Sequence, residues 1–152
     1  MTKLPPNQQL VAPGKWPVVG EREPRDDSSP WNVSVRGCVN QELTFSLDEL
    51  RELPQVEREI DIHCVTRWSR PSMPFTGVLL KTLLDAAGVQ ATAKFISFVA
   101  RSAQNHSTSL PLEYLTTVEA MIALTADGEA VPREHGGPVR MVVPGKYFYK
   151  SV

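Results

Sequence analysis

Cysteine is scarce in this chain: 152 residues carry two, Cys38 and Cys64. Two thiols are too few for a disulfide framework. Together with three histidines they also lack the paired close spacing of a structural zinc site. No apolar run approaches the roughly 20 residues of a membrane-spanning helix. The opening Met1-Thr2-Lys3-Leu4-Pro5-Pro6 has no secretory apolar stretch. Neither sign of charge is in excess, since the formal net charge is −1. That balance gives no bulk attraction to nucleic acid or to a membrane surface. Internal repeats are absent as well. These absences lead to the expectation of a cytoplasmic protein with two free thiols, no nucleic-acid partner and no membrane span.

Proline and glycine are plentiful, at thirteen and nine. They suit a loop-rich α+β domain better than a helical bundle, and the length fits one domain with a core. Residues 1–30, rich in Pro, Gly and charge, read as an extended N-terminal arm; residues 31–152 read as the domain. Residues 31–37 alternate as a half-buried strand, and residues 43–45 form a second. Ser46 and Glu49 have capping-box spacing before a helix over 47–53, which Pro54 stops. Residues 56–62 alternate, with Ile60, Ile62 and Cys64 on one face and Asp61 and His63 on the other. A polar loop with Arg67 and Trp68 follows, broken by Pro71 and Pro74. The spacing of Leu80, Leu83, Leu84 and Ala87 predicts a helix over 76–88. Residues 94–100 are apolar on both faces and read as a central strand. A loop over 104–107, a short helix over 111–115 and a strand over 120–126 come next. Asp127-Gly128 marks a hairpin turn, and residues 139–143 make the last strand.

Cys64 is the first candidate for chemistry. It ends a strand on the core side, where a buried small hydrophobe, a nucleophile and a soft-metal ligand all remain open. A nucleophile needs a histidine base within reach. His63 points to the opposite face, and His106 and His135 lie far along the chain. The second candidate is the C-terminal segment. After Glu134 it holds no acid, yet Arg140, Lys146 and Lys150 are present. Arg140 sits within an apolar strand, where an unpaired charge is costly, so an anionic partner such as phosphate is economical. Gly136, Gly137 and Gly145 would let backbone approach closely. Trp31, Trp68, Tyr147, Phe148 and Tyr149 fit either core or cofactor stacking. A strand-end thiolate beside an anion-binding segment suits a cofactor that carries a soft metal and a phosphate.

The segment Asp61-Ile62-His63-Cys64-Val65-Thr66-Arg67-Trp68-Ser69, followed by Gly77-Val78 and Leu83-Leu84, resembles the cysteine motif of sulfite-oxidase-like molybdopterin oxidoreductases. Glu134-His135-Gly136-Gly137-Pro138-Val139-Arg140, Val143-Pro144-Gly145-Lys146-Tyr147 and Phe148-Tyr149-Lys150-Ser151 are similar to later motifs of that family, in order. Thr108-Ser109-Leu110-Pro111-Leu112 and Ser46-Leu47-Asp48-Glu49-Leu50 agree too. The resemblance implies a mixed β-sheet α+β fold around a molybdenum–pyranopterin cofactor, with Cys64 as the protein thiolate on the metal. It implies cofactor contacts at His135, Arg140, Lys150 and Ser151, and two-electron oxygen-atom transfer on a small substrate such as sulfite or a sulfoxide. Arg67 and Tyr147 are the catalytic candidates at the mouth, without a fixed role in the match. No haem motif is present, so a separate electron-transfer partner is expected. The family typically continues with a lysine–tryptophan pair and a further strand, so a domain shortened at its C-terminus is expected. The alternative is a truncated or cofactor-free domain acting as a binding or structural module.

Overall fold

The computed structural model describes residues 3–19 and 29–148. In chain order these hold β1 (Gln9–Leu10), β2 (Asn32–Val35), β3 (Leu43–Ser46), α1 (Leu47–Glu52), β4 (Val56–His63) and β5 (Trp68–Leu79). Then come α2 (Leu80–Ala87), β6 (Phe95–Val99), β7 (Ser107–Pro111), α3 (Leu112–Thr117), β8 (Met121–Ala126), β9 (Glu129–Ala130), a 3-10 turn (Arg133–His135) and β10 (Arg140–Val142). The fold is α+β, as expected, with short helices around mixed sheets. The main sheet has six strands, and β2–β3 and β6–β7 are separate two-stranded ribbons.

The central element of that sheet is β5. Along one edge it pairs antiparallel with β4, from Val56 opposite Gly77 to His63 opposite Ser69. Its other edge is shared: β1 pairs parallel at Trp68 and Ser69, and β8 pairs antiparallel over residues 75–79. β8 then carries β10 and β9 on its far side. Alternation sorts the side chains into two cores. Ile122, Met141 and Val143 face one core with Leu50, Leu83 and Leu115 of the three helices. Met121, Ala123 and Val142 face the other with Ile62, Met73, Phe75 and Phe148. The strand buried on both faces is therefore β8.

Several local signals act as their residues dictate. Ser46 accepts from the Glu49 N–H, and the Glu49 carboxylate accepts from the Ser46 N–H, so the capping box opens α1. Leu80, Leu83, Leu84 and Ala87 bury one face of α2, and the Gly88 N–H closes it on the Leu84 carbonyl. Asp127-Gly128 turns β8 into β9.

Three expectations are corrected. The helix predicted over 76–88 begins only at Leu80; residues 76–79 are strand, held by β4 and β8. Val78, Leu79 and Leu80 satisfy both the helical and the strand period, so the pattern could not mark the boundary. The loop predicted after Arg67, with Pro71 and Pro74 as breakers, is the first half of β5. Pro71 falls where the ladder shifts between Ile60 and Ile62, and the neighbouring Ser72 N–H donates to the Asp61 carboxylate. The Pro74 carbonyl accepts from the Asp127 N–H, so its donorless nitrogen faces that side and takes no β4 bond. The strand over 94–100 is not central. It is β6, paired among the described residues with β7 alone; Phe95 and Val99 are 67% and 68% exposed while Ile96 and Phe98 pack inward.

Gly77 sits at the register shift between β5 and β8, where a Cβ would collide with the Ile122 carbonyl oxygen. Gly77→Ala must push the two central strands apart. Overpacking of this kind costs about 1–3 kcal/mol or more. Thermal unfolding should show the Tm falling by several degrees. An unchanged Tm would mean that β8 shifts freely and that the close approach is not a constraint.

Candidate functional site

The β4–β5 hairpin ends in a tight turn that carries Cys64. The Cys64 N–H donates to the Trp68 carbonyl at 2.9 Å, and the Arg67 N–H donates to the Cys64 carbonyl at 3.0 Å. Arg67 is left-handed, with φ 73°, which closes the reversal. Alternation from Ile60 and Ile62 carries the Cys64 side chain to the buried face, as expected; the residue is 5% exposed. The Thr66 hydroxyl donates to Cys64 Sγ at 3.1 Å. No histidine hydrogen-bonds Sγ among the described residues, so no Cys–His pair forms there.

The N-terminal arm braces this turn. Gln8 donates from Nε2 to the Cys64 carbonyl at 3.0 Å and accepts at Oε1 from the Ser69 hydroxyl at 2.8 Å. Ser69 is fully buried, and His63 Nδ1 lies 2.7 Å from its oxygen. The serine proton is committed to Gln8, so His63 carries its own proton on Nδ1 and donates it.

The facing wall comes from the 3-10 turn and β10. His135 is buried and stacks on Trp16 of the arm, 3.6 Å between centroids and 4° between planes. Its carbonyl accepts from Arg140 Nη1 at 2.7 Å, and the guanidinium carbon lies 4.1 Å above the Phe148 ring. Burial lowers the Arg140 pKa to about 10, partly opposed by the Cys64 sulfur; the group stays cationic at neutral pH. Burial, then the Arg140 charge, pushes the His135 pKa below the usual histidine value. Glu134 and the Trp16 backbone pull it weakly upward. Of the glycines expected to admit a ligand, Gly136 lines the cavity, while Gly137 lets the loop lie against the Val131 carbonyl and Gly145 lies against the Tyr114 hydroxyl.

Between the two walls lies a cavity of about 970 Å³. Cys64, His135 and Arg140 all line it, so three sequence candidates meet there. Arg67 is exposed on the turn, and Tyr147 is 41% exposed; neither lines the cavity. Lys150 and Ser151 lie outside the described residues. Cys38 is exposed and free, and no group of three metal-ligating side chains occurs among the described residues. Sequence reasoning missed Gln8, Trp16, Thr66 and the cavity residues Arg36, Arg101 and Arg133. The one available signal was Trp16-Pro17-Val18-Val19, an apolar cluster in an otherwise polar arm. Among the described residues the lining holds four arginines against a single acid, Glu134. A soft donor on one wall and concentrated positive charge around it suit an anionic ligand that carries a soft metal.

His135 allows a test of this electrostatic arrangement. Its folded pKa is lowered, so above about pH 6.5 both folded and unfolded forms are neutral and its contribution is constant. As pH falls below that value the unfolded state takes up the proton first, and stability drops. His135→Phe keeps a ring against Trp16 and removes the titration. Tm measured from pH 7.5 to 5 should fall less steeply in the variant than in the wild type. Parallel curves would show that His135 is not held neutral.

Comparison with known proteins follows the same direction. The family model described as "Oxidoreductase molybdopterin binding domain" matches residues 20–152. The uncharacterized oxidoreductase YuiH of Bacillus subtilis is 32% identical over 151 residues, covering 98% of this chain and 74% of that protein. The protein-methionine-sulfoxide reductase catalytic subunit MsrP of Ralstonia nicotianae is 36% identical over 136 residues. That alignment covers 80% of this chain and 41% of MsrP. The crystal structure of the sulfane dehydrogenase SoxCD from Paracoccus pantotrophus superposes with a TM-score of 0.74 at 27% identity, over 80% of this chain and 36% of that one. The chain thus spans about three quarters of YuiH and less than half of the other two.

Proposed function

The chain belongs to the oxidoreductase molybdopterin-binding domain family, and from that premise we propose that Cys64 is its ligand to the molybdenum of the bound cofactor. The reaction we propose is two-electron oxygen-atom transfer on a small substrate such as a sulfoxide or sulfite. One observation carries the reading: an inward-facing sulfur at a rigid hairpin end opens onto a cavity of about 970 Å³ walled by arginines. The size and charge of that cavity fit a pterin with its phosphate. When bound, the cofactor supplies the redox centre and the two-electron chemistry.

The chain's own residues do the rest. The Cys64 thiolate is a soft donor held by backbone bonds on both sides, so its direction is fixed before anything binds. Arg140, held through Nη1 on the His135 carbonyl and through Nη2 on the Phe148 carbonyl, places a fixed positive charge on the cavity wall, where it favours an anion. His135, kept neutral and stacked on Trp16, presents hydrogen-bonding capacity without adding a second buried cation. Trp16, Trp68 and Phe148 form apolar parts of the lining and limit water there. A separate protein for electron delivery is part of the reading; it agrees with the relative MsrP being named a catalytic subunit.

Two variants test the assignment. Cys64→Ser should abolish turnover and leave the fold intact, because a hydroxyl is a poor soft-metal ligand; Cys38→Ser should change neither. Wild-type turnover in Cys64→Ser would remove the ligand assignment. Arg140→Ala should cost about 2–5 kcal/mol of cofactor binding, read as lower molybdenum and pterin per chain at near-normal turnover per molybdenum. Arg140→Lys should recover part, since an ammonium cannot copy the fork. Full occupancy with lost turnover would move Arg140 to the substrate side. Wild-type chains made in a cofactor-competent host yet far below one molybdenum each would favour a cofactor-free binding module.

A further inference from the structure

We propose that Thr66 is a positioning residue for the sulfur of Cys64, and that its hydroxyl proton sets the reduction potential of the bound molybdenum. The inference rests on Cys64 being the metal ligand. Thr66 Oγ1 lies 3.1 Å from Sγ and donates to it. A hydroxyl has one proton to give, and here the sulfur receives it. Sγ has no other hydrogen-bond partner among the described residues, and Cys64 is 5% exposed, so little water competes for it.

The contact is imposed by the turn. Cys64 is held at its N–H by Trp68 and at its carbonyl by both Arg67 and Gln8, and the turn closes at Arg67, three residues beyond the cysteine. The position of residue 66 relative to Sγ is therefore fixed by backbone. Threonine is stiff at χ1, which holds the hydroxyl where the turn aims it. Arg140 also acts on Cys64, but through its charge across the cavity; the Thr66 bond is directional.

The consequence follows from ligand electronics. A hydrogen bond to a metal-bound thiolate draws electron density off the sulfur, which then donates less to the metal. The oxidised metal depends most on that donation, so the bond makes reduction easier. Removing the proton without changing shape should do the reverse. Valine is the isostere that lacks it, and serine keeps the hydroxyl.

The experiment is a reductive titration of molybdenum-loaded wild type, Thr66→Val, Thr66→Ser and Cys64→Ser. The paramagnetic molybdenum signal is followed, and molybdenum per chain is measured in each. Thr66→Val should retain wild-type molybdenum content and shift to a more negative potential. The expected size is about a tenfold change in the equilibrium constant, or 59 mV for a one-electron step. Thr66→Ser should return to the wild-type value. A potential for Thr66→Val equal to wild type overturns the proposal, as does a Thr66→Ser shift equal to that of Thr66→Val. Loss of molybdenum from Thr66→Val also overturns it, because the hydroxyl would then hold the metal in place and not tune it. Cys64→Ser separates the two levels. An unaltered signal there refutes the ligand assignment itself. An altered signal with an unmoved Thr66→Val potential removes only the tuning role.

Discussion

Backbone pairing between β4 and β5 determines where one sulfur atom sits. The ladder runs from Val56 opposite Gly77 to His63 opposite Ser69, and the next residue is Cys64. A one-residue slip of that register would turn Cys64 to the opposite face with Asp61 and His63. The free edge of β5 then recruits β8, and β8 recruits β10, whose first residue is Arg140. Three ladders therefore fix the relation between the thiol and the cation across the cavity. Gly77 is where β5 lies so close to β8 that a Cβ would meet the Ile122 carbonyl. Packing on both faces of β8 makes this frame stiff, and the site takes its precision from the sheet rather than from loops.

The electrostatics of the cavity are biased before any ligand arrives. Burial works against the Arg140 charge, and the nearby sulfur of Cys64 works for it. Arg36, Arg101 and Arg133 add positive charge around the same space. The fold limits the load at one place: His135 adjoins Arg140 and is held neutral, so it adds no further cation to the Arg133 and Arg140 of that wall. An anion entering the cavity compensates these charges. A lining with four arginines and one acid among the described residues favours a negatively charged ligand over an apolar one.

Much of this was legible in the sequence, for reasons specific to each element. The capping box at Ser46 and Glu49, the turn at Asp127-Gly128 and the inward face of Ile60, Ile62 and Cys64 are local, and they appear as local rules demand. Misreadings arose where tertiary context decides. Val78 to Leu80 fit two periods, and only the β8 ladder makes the first half strand. Residues 95–99 and 121–126 are both apolar runs; the helices cover the second on one face, and nothing among the described residues covers Phe95 and Val99. At the site, Cys64 and Arg140 could be named because each is unusual where it stands, and His135 through the resemblance of its motif. Gln8 and Trp16 could not, since their importance depends on a fold-back of the arm that no periodicity encodes.

That fold-back makes the site composite. β1 is two residues long, and its pairing with Trp68 and Ser69 supplies only a few backbone bonds. A net contribution of about 1 kcal/mol per bond cannot offset ordering some fifteen residues at roughly 1–2 kcal/mol each. Side chains must provide the difference. Trp16 does so by packing against Phe75, Phe148 and His135, and aromatic rings bury about 150–250 Å² each. Gln8 adds two hydrogen bonds, one of them to the Cys64 carbonyl itself. The groups that hold the arm down are thus the ones that brace the cysteine turn and the histidine of the facing wall. Arm docking and site geometry are one equilibrium: whatever loosens the arm also loosens the sulfur.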